Sequence, residues 1–254
     1  MKNLKKKLNN GEALHGCWLN LGNSLTAEIV GMAGFDWVLI DLEHGSGNEK
    51  DLLSQLQALN SGNAGVIVRV ESNDRRRIQR TLDMGAEGIM CPQIENAEDA
   101  KKVVRGMYYA PDGKRGVAKM VRTTGFGKSF ENYRRDLKKN ILGVIQIETS
   151  EALRHLDEIA NIEGVDVLFI GPSDLTMSLG IFGQLDHPIY LEAIKSIVTA
   201  AQKAGKSVGI LLYNPEDYKR YYDMGIRFIA CGSDATFVAF GAKQMAKNLN
   251  SYKN

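Results

Sequence analysis

The strongest constraint on how this chain can fold is a single repeated alternation. Short β-rich runs recur at 13–21 (ALHGCWLNL), 37–44 (WVLIDLEH), 64–70 (AGVIVRV), 88–94 (GIMCPQI), 142–148 (LGVIQIE), 165–172 (VDVLFIGP), 207–214 (SVGILLYN) and 226–234 (IRFIACGSD). Each is followed by a helical pattern, such as SLTAEIVGMAG after the first and DRRRIQRTLDMG after the third. Gly34, Gly85, Gly164, Gly205 and Gly225 stand just before the next strand, where a helix ends most easily in a left-handed residue. Near-continuous apolar strands alternating with helices imply a parallel sheet covered by helices. Eight such units in 254 residues match a (β/α)8 TIM barrel, read here as one domain over 1–254. An open doubly wound sheet is the alternative, but no GxGxxG follows the first strand.

Composition narrows the setting. The formal charge of +2 gives no nucleic-acid footprint, and no apolar stretch is long enough for a bilayer. The opening MKNLKKKLNNGEALHG has the positive start of a signal peptide without the apolar run behind it. Cys17, Cys91 and Cys231 are odd in number, far apart and within strand runs, which fits reduced thiols in a cytoplasmic protein. The alternation breaks once, at 109–130 (YAPDGKRGVAKMVRTTGFGKSF), between the fourth helix and the fifth strand. That loop is expected to be an active-site lid or specificity loop rather than a disordered segment, its Lys114, Arg115, Lys119 and Arg122 either meeting an anionic substrate or simply solvated. The charge run 74–80 (DRRRIQR) reads as a solvated helix face.

Reactive residues of such a barrel collect at the carboxyl ends of its strands. Here those ends carry His44, Arg69, Gln146 with Glu148, and Pro172 followed by Ser173 and Asp174. Gln146 and Glu148 are two apart and share a face. Arg69, amid β-branched residues, needs anionic or carbonyl partners; a structural Arg–Glu pair across adjoining strands would satisfy it as well as a substrate would. A strand-end histidine is more often structural than catalytic, and Asp174 also suits the first turn of a short helix. Carboxylates on neighbouring strands are the minimum for a hard divalent cation, Mg²⁺ or Mn²⁺ with Co²⁺ as a further candidate, and no Cys/His cluster has zinc spacing. The helix opening at Ser173 offers backbone N–H groups to a substrate carboxylate.

Taken in order, GFDWVLIDLEHG, VRV, GAEGIMCPQIENAEDA, APDGKRG, IQIETSEAL and GVDVLFIGPSDL resemble the class II, metal-dependent pyruvate aldolases, which include 4-hydroxy-2-oxoheptanedioate and 2-keto-3-deoxyglucarate aldolases. The resemblance runs from about Gly16 to the last strand. It implies His44 as general base, Asp41 and Asp83 as the acids that orient it, and Arg69 as the residue that stabilises an enolate. It implies Glu148 and Asp174 as metal ligands, and Gln146 and Ser173 (the latter through its backbone) as substrate-binding residues. Ser173 stands where the family often has alanine, which bears on substrate contact, and KMVRTTGFG departs from the family pattern. The implied reaction is reversible retro-aldol cleavage of a 4-hydroxy-2-oxo acid, a 2-keto-3-deoxy sugar acid or a hydroxy-oxo-diacid, to pyruvate and an aldehyde. The implied assembly is a homo-oligomer, commonly a hexamer, with the last helix exchanged between neighbours.

Two other classes compete with that reading. A Schiff-base aldolase would need a strand-end lysine, and none of the eight runs contains lysine. A phosphate-binding sugar isomerase or epimerase barrel would use the loops after strands seven and eight, here YNPED and GSDA, but leaves Glu148 and Asp174 unexplained. A non-catalytic barrel would show undiminished cleavage after His44→Ala.

Overall fold

The computed structural model describes residues 2–253. Eight parallel strands close into a barrel in sequential order: β1 (Leu14–Leu19), β2 (Trp37–Asp41), β3 (Gly65–Arg69), β4 (Gly88–Cys91), β5 (Leu142–Ile147), β6 (Val167–Ile170), β7 (Ser207–Leu212) and β8 (Phe228–Ser233). The (β/α)8 architecture is therefore as the alternation implied. Its punctuation holds too: all five helix-ending glycines have positive φ, as at Gly85 with φ 110°.

Period two sorts the strand residues into two layers. Val38, Ile40, Val66, Val68 and Ile145 face outward and pack under the helices. Trp37, Leu39, Ile67, Val144, Val167 and Phe169 face inward and fill the barrel. The interior is dominated by aromatics: Trp37 stacks on Phe228 with centroids 3.8 Å apart, and Trp18 meets Phe169 at 5.5 Å. The lysine-rich amino terminus forms a helix, Leu4–Asn9, whose Leu4 and Leu8 are buried with that interior cluster and plug the end from which the strands start. Its charges thus belong to an amphipathic plug. The cysteines are free thiols, Cys17 and Cys91 buried and Cys231 half-buried; burial pushes the Cys17 thiol up to about 12.

The segment 109–129 departs from expectation. It follows the helix Ala97–Met107 and precedes the helix Phe130–Asn140, so it lies on the helix-to-strand side, at the end of the barrel opposite the strand carboxyl ends. Three of its four named basic residues are engaged within the chain, and Lys114 is exposed. Arg115 is buried, paired with Asp83 at 2.6 Å and donating to the Tyr133 hydroxyl at 2.9 Å. Arg122 donates to Met84 O at 2.7 Å and Leu56 O at 3.2 Å, capping the ends of two helices. Lys119 lies over the Phe130 ring. Within the chain this loop is a brace and not a lid.

Candidate active site

The inward parity that packs Leu39, Ile67 and Val144 continues two residues on, where the strands reach the barrel mouth, and there the side chains turn polar. Asp41, Arg69 and Gln146 end the inward rows, with Glu148 one step beyond β5. Asp41 and Arg69 are register partners on β2 and β3, so the carboxylate and the guanidinium meet directly. Arg69 Nε donates to Asp41 Oδ1 at 2.9 Å and Nη2 to Oδ2 at 2.7 Å, a bidentate pair buried on both sides. Asn20 Nδ2 adds a bond to Asp41 Oδ2 at 2.8 Å. On its other edge Arg69 Nη1 is 3.0 Å from Glu43 Oε2 and 3.5 Å from Gln146 Oε1.

The network continues to Glu148. Gln146 Nε2 donates to Glu148 Oε2 at 2.7 Å, and the Gln93 backbone N–H donates to Oε1 at 2.6 Å. Gln93 holds a left-handed φ of 54° to aim that N–H, a conformation uncommon outside glycine. Burial, with Asp174 and Glu43 nearby, raises the Glu148 carboxyl to about 7 despite the Gln93 bond. Burial likewise pushes Glu43 above the usual carboxylate range, with Arg69 pulling the other way.

The LEHG turn sets His44. Asp41 Oδ1 accepts the backbone N–H groups of Glu43 and His44 at 3.1 and 3.3 Å, folding the chain back at the strand end. Gly45 is required there, because a Cβ would overlap the Asp41 carbonyl oxygen. The imidazole projects into the cleft with its side chain 67% exposed, its Nε2 3.8 Å from Glu43 Oε1.

Two expected contacts are not made within the chain. Asp41 touches the His44 backbone and not its ring, because its oxygens are taken by Arg69, Asn20 and the turn. Asp83 sits in the last turn of the helix Arg75–Met84, at the far end of the barrel, and pairs with Arg115. The carboxylate facing the imidazole is Glu43. An acid two residues past a strand end could have been read that way, had the turn geometry been known.

Ser173 and Asp174 are exposed in the first turn of the helix Pro172–Ser178, on the same rim. With Trp18, His44, Arg69 and Gln146 they line a cavity of about 390 Å³, and a second of about 310 Å³ adjoins it through Trp18, His44 and Arg69. Tyr213, at the end of β7, lines both; the strand-end rule applied to β7 reaches it, as alternation reaches inward-facing Trp18. A larger hollow of about 520 Å³ lies at the opposite end, where Lys7 and Asp36 neutralise one another at 3.2 Å.

Among the described residues no three His, Cys, Asp or Glu side chains cluster as a closed metal cage. The donors available at this rim, Glu148 and Asp174, are hard oxygens too few to saturate a cation. That fits Mg²⁺ or Mn²⁺, which keep positions for water and substrate, and does not fit a structural zinc. Gly171 leaves the space: a Cβ there would stand 2.8 Å from Glu148 Oε2. The carboxyl-terminal loops are ill suited to phosphate. Asp234, at the start of the helix Asp234–Asn250, is buried and accepts from Asn20 N at 2.7 Å, Ala235 N at 2.9 Å and the Thr26 hydroxyl at 2.7 Å, so the chain's own carboxylate fills the anion position.

The family model described as HpcH/HpaI aldolase/citrate lyase matches residues 14–239. A 4-hydroxy-2-oxo-heptane-1,7-dioate aldolase from Salmonella dublin is 38% identical over 255 residues, spanning 100% of this chain and 97% of its own. A hydroxypyruvate/pyruvate aldolase from Roseobacter denitrificans is 38% identical over 247 residues, spanning 97% and 96%. The crystal structure of an HpcH/HpaI aldolase/citrate lyase family protein from Burkholderia cenocepacia J2315 superposes with a TM-score of 0.92 at 33% identity, covering 98% of this chain and 100% of that one.

Proposed function

The chain belongs to the HpcH/HpaI aldolase/citrate lyase family, and from that premise we propose that its barrel mouth cleaves a 4-hydroxy-2-oxo acid to pyruvate and an aldehyde, with Glu148 and Asp174 as cation ligands. It is a carbon–carbon lyase. The observation that carries the assignment of roles is the Asp41–Arg69–Gln146–Glu148 network, which fixes a guanidinium edge and a carboxylate on one wall of a cleft that His44 also faces.

A bound Mg²⁺ or Mn²⁺ would supply Lewis-acid stabilisation of negative charge on the substrate's 2-oxo oxygen. The chain does the rest. Gln146 and the Ser173 backbone hold the oxo-acid end. His44 takes the proton from the 4-hydroxyl, the C3–C4 bond breaks, and its electron pair passes into the enolate of pyruvate. Glu43 Oε1 stands 3.8 Å from the imidazole Nε2 that faces the cleft. Arg69, unable to rotate away from Asp41, presents donors to the developing oxyanion at no reorganisation cost. The proton taken by His44 is returned to C3 of the enolate, which regenerates the neutral imidazole and releases pyruvate. The test is an aldol screen of pyruvate, Mg²⁺ or Mn²⁺ and a panel of aldehydes. Chelation by EDTA is expected to lower turnover at least about a hundredfold, given the several kcal/mol such a cation contributes; undiminished turnover in EDTA rejects the cation.

None of the described helices is long and apolar enough to cross a membrane. The helix Asp234–Asn250 supports a homo-oligomer, for which the family expectation is a hexamer. Its Phe237, Val238, Phe240, Met245 and Leu249 are all exposed in the single chain, Phe240 by 71%, and only Asp234 of the whole helix is buried. A patch of that size on one helix is covered in solution by another surface, here a second copy. Phe240→Asp is expected to shift the protein to a smaller species in light scattering and to lower its melting temperature. An unchanged mass would argue that the helix folds back on its own barrel.

A further inference from the structure

One pair of side chains at the mouth has no part in the scheme above. Ser173 Oγ and Tyr213 OH are 2.5 Å apart, joining the start of the helix after β6 to the end of β7. Tyr213 is 58% exposed, and an exposed phenol is not ordinarily pinned; this one is held by a hydroxyl partner in a fixed place. It lines the chamber with Gln146, Ser173 and Asp174 and also the adjoining chamber with Asn20, Ser233 and Thr236. His44, the base for the 4-hydroxyl, lines both as well, so an aldehyde fragment leaving beside it has the second chamber, past Tyr213, to extend into. Two hydroxyls have two hydrogens. One is used between them, and the other, with the free lone pairs, is left to donate to and accept from a ligand.

The charges in that second chamber point the same way. Among the described residues lining the two chambers, Arg69 and His44 are the only basic side chains. Arg69 is committed to Asp41 through two bonds and to Glu43 at 3.0 Å. The donors Arg69 has left face the reacting oxygen, so a second, distal carboxylate would enter beside Asp41 with no cation of its own to meet it. A hydroxylated neutral fragment would find donors and acceptors.

Building on the lyase reading, we propose that the Ser173–Tyr213 hydroxyl pair determines specificity, selecting substrates whose leaving aldehyde is uncharged and carries a hydroxyl beside its carbonyl. That places the chain with sugar-acid-like substrates rather than with the hydroxy-oxo-diacid named for the Salmonella relative. Loss of the pair leaves a substrate hydroxyl desolvated and unpaired, the kind of defect by which hydrogen-bonding sites discriminate.

The test compares aldol addition of pyruvate to glycolaldehyde, to acetaldehyde, which lacks only the hydroxyl, and to succinic semialdehyde. The readout is the glycolaldehyde-to-acetaldehyde ratio of kcat/KM, because intrinsic reactivity cancels between variants. Tyr213→Phe is expected to lower that ratio by about tenfold and Ser173→Ala by about threefold, in line with one hydrogen bond lost or loosened. The exposure of Tyr213 means the Phe variant folds. A ratio unchanged within twofold in Tyr213→Phe, or a wild type that prefers succinic semialdehyde to glycolaldehyde, overturns the proposal. Exchange of the pyruvate methyl hydrogens in D₂O with Mg²⁺, followed by NMR on the wild type, separates the two levels. Exchange with no shift in the ratio sinks only this inference; no exchange sinks the lyase reading and this inference with it.

Discussion

Arg69→Ala is expected to lower kcat/KM for retro-aldol cleavage by about three powers of ten and to destabilise the fold by about 3–5 kcal/mol. The two effects have one origin. Arg69 holds Asp41 through a bidentate pair at 2.7 and 2.9 Å in a site buried on both sides. Removing the guanidinium leaves a buried carboxylate whose remaining partners are Asn20 Nδ2 and two backbone N–H groups. The turn carrying His44 hangs on those N–H bonds, so a shift of Asp41 also moves the base. Arg69→Lys is expected to recover part of the stability and little of the rate, since one ammonium cannot span both Asp41 oxygens while still facing the cleft. Urea denaturation and steady-state kinetics on the two variants read these separately. A tenfold or smaller loss in Arg69→Ala would show that the guanidinium is structural.

Glu148→Gln has a comparable expected effect by another route. The substitution keeps the shape and one acceptor but removes the charge that a divalent cation needs, and activity is expected to fall at least a thousandfold at ordinary cation concentrations. It also has a signature without any cation. Burial raises the Glu148 carboxyl in the folded chain from 4.5 to about 7. Below pH 4.5 the group is protonated in both states and the fold keeps its full stability; between 4.5 and 7 the folded state binds more protons than the unfolded one. Stability of the cation-free protein therefore declines as pH rises through that window, by on the order of 3 kcal/mol at about 1.4 kcal/mol per unit. In Glu148→Gln that slope should flatten, which thermal melts at a series of pH values in EDTA would reveal.

Much of this site could be read from the chain because it obeys the strand period. Leu39 leads to Asp41, Ile67 to Arg69, and Val144 to Gln146 and Glu148, so inward parity and strand-end position together picked out the polar ring. What period two cannot give is the register between strands, and that register makes Asp41 the partner of Arg69 and not of the His44 ring. The left-handed φ of Gln93, which delivers an N–H to Glu148, follows no composition rule; glycine would have signalled it, glutamine does not. The loop expected over 109–130 differs from a lid for a topological reason already present in the alternation. A connection from helix to strand emerges at the end away from the strand carboxyl termini, whatever its length or charge. Tyr213 was within reach of the same rule that found Ser173, but an aromatic at a strand end reads as core unless its hydroxyl partner is known.

Electron paramagnetic resonance of Mn²⁺ titrated into the chelator-treated protein addresses the central arrangement most directly. The wild type should bind one Mn²⁺ per chain, with a spectrum that changes when oxalate, a mimic of pyruvate enolate, is added. Glu148→Gln and Asp174→Asn should each leave the ion free. One tightly bound Mn²⁺ retained in both variants, or a bound ion indifferent to oxalate, would contradict the placement of the cation between these carboxylates and the substrate.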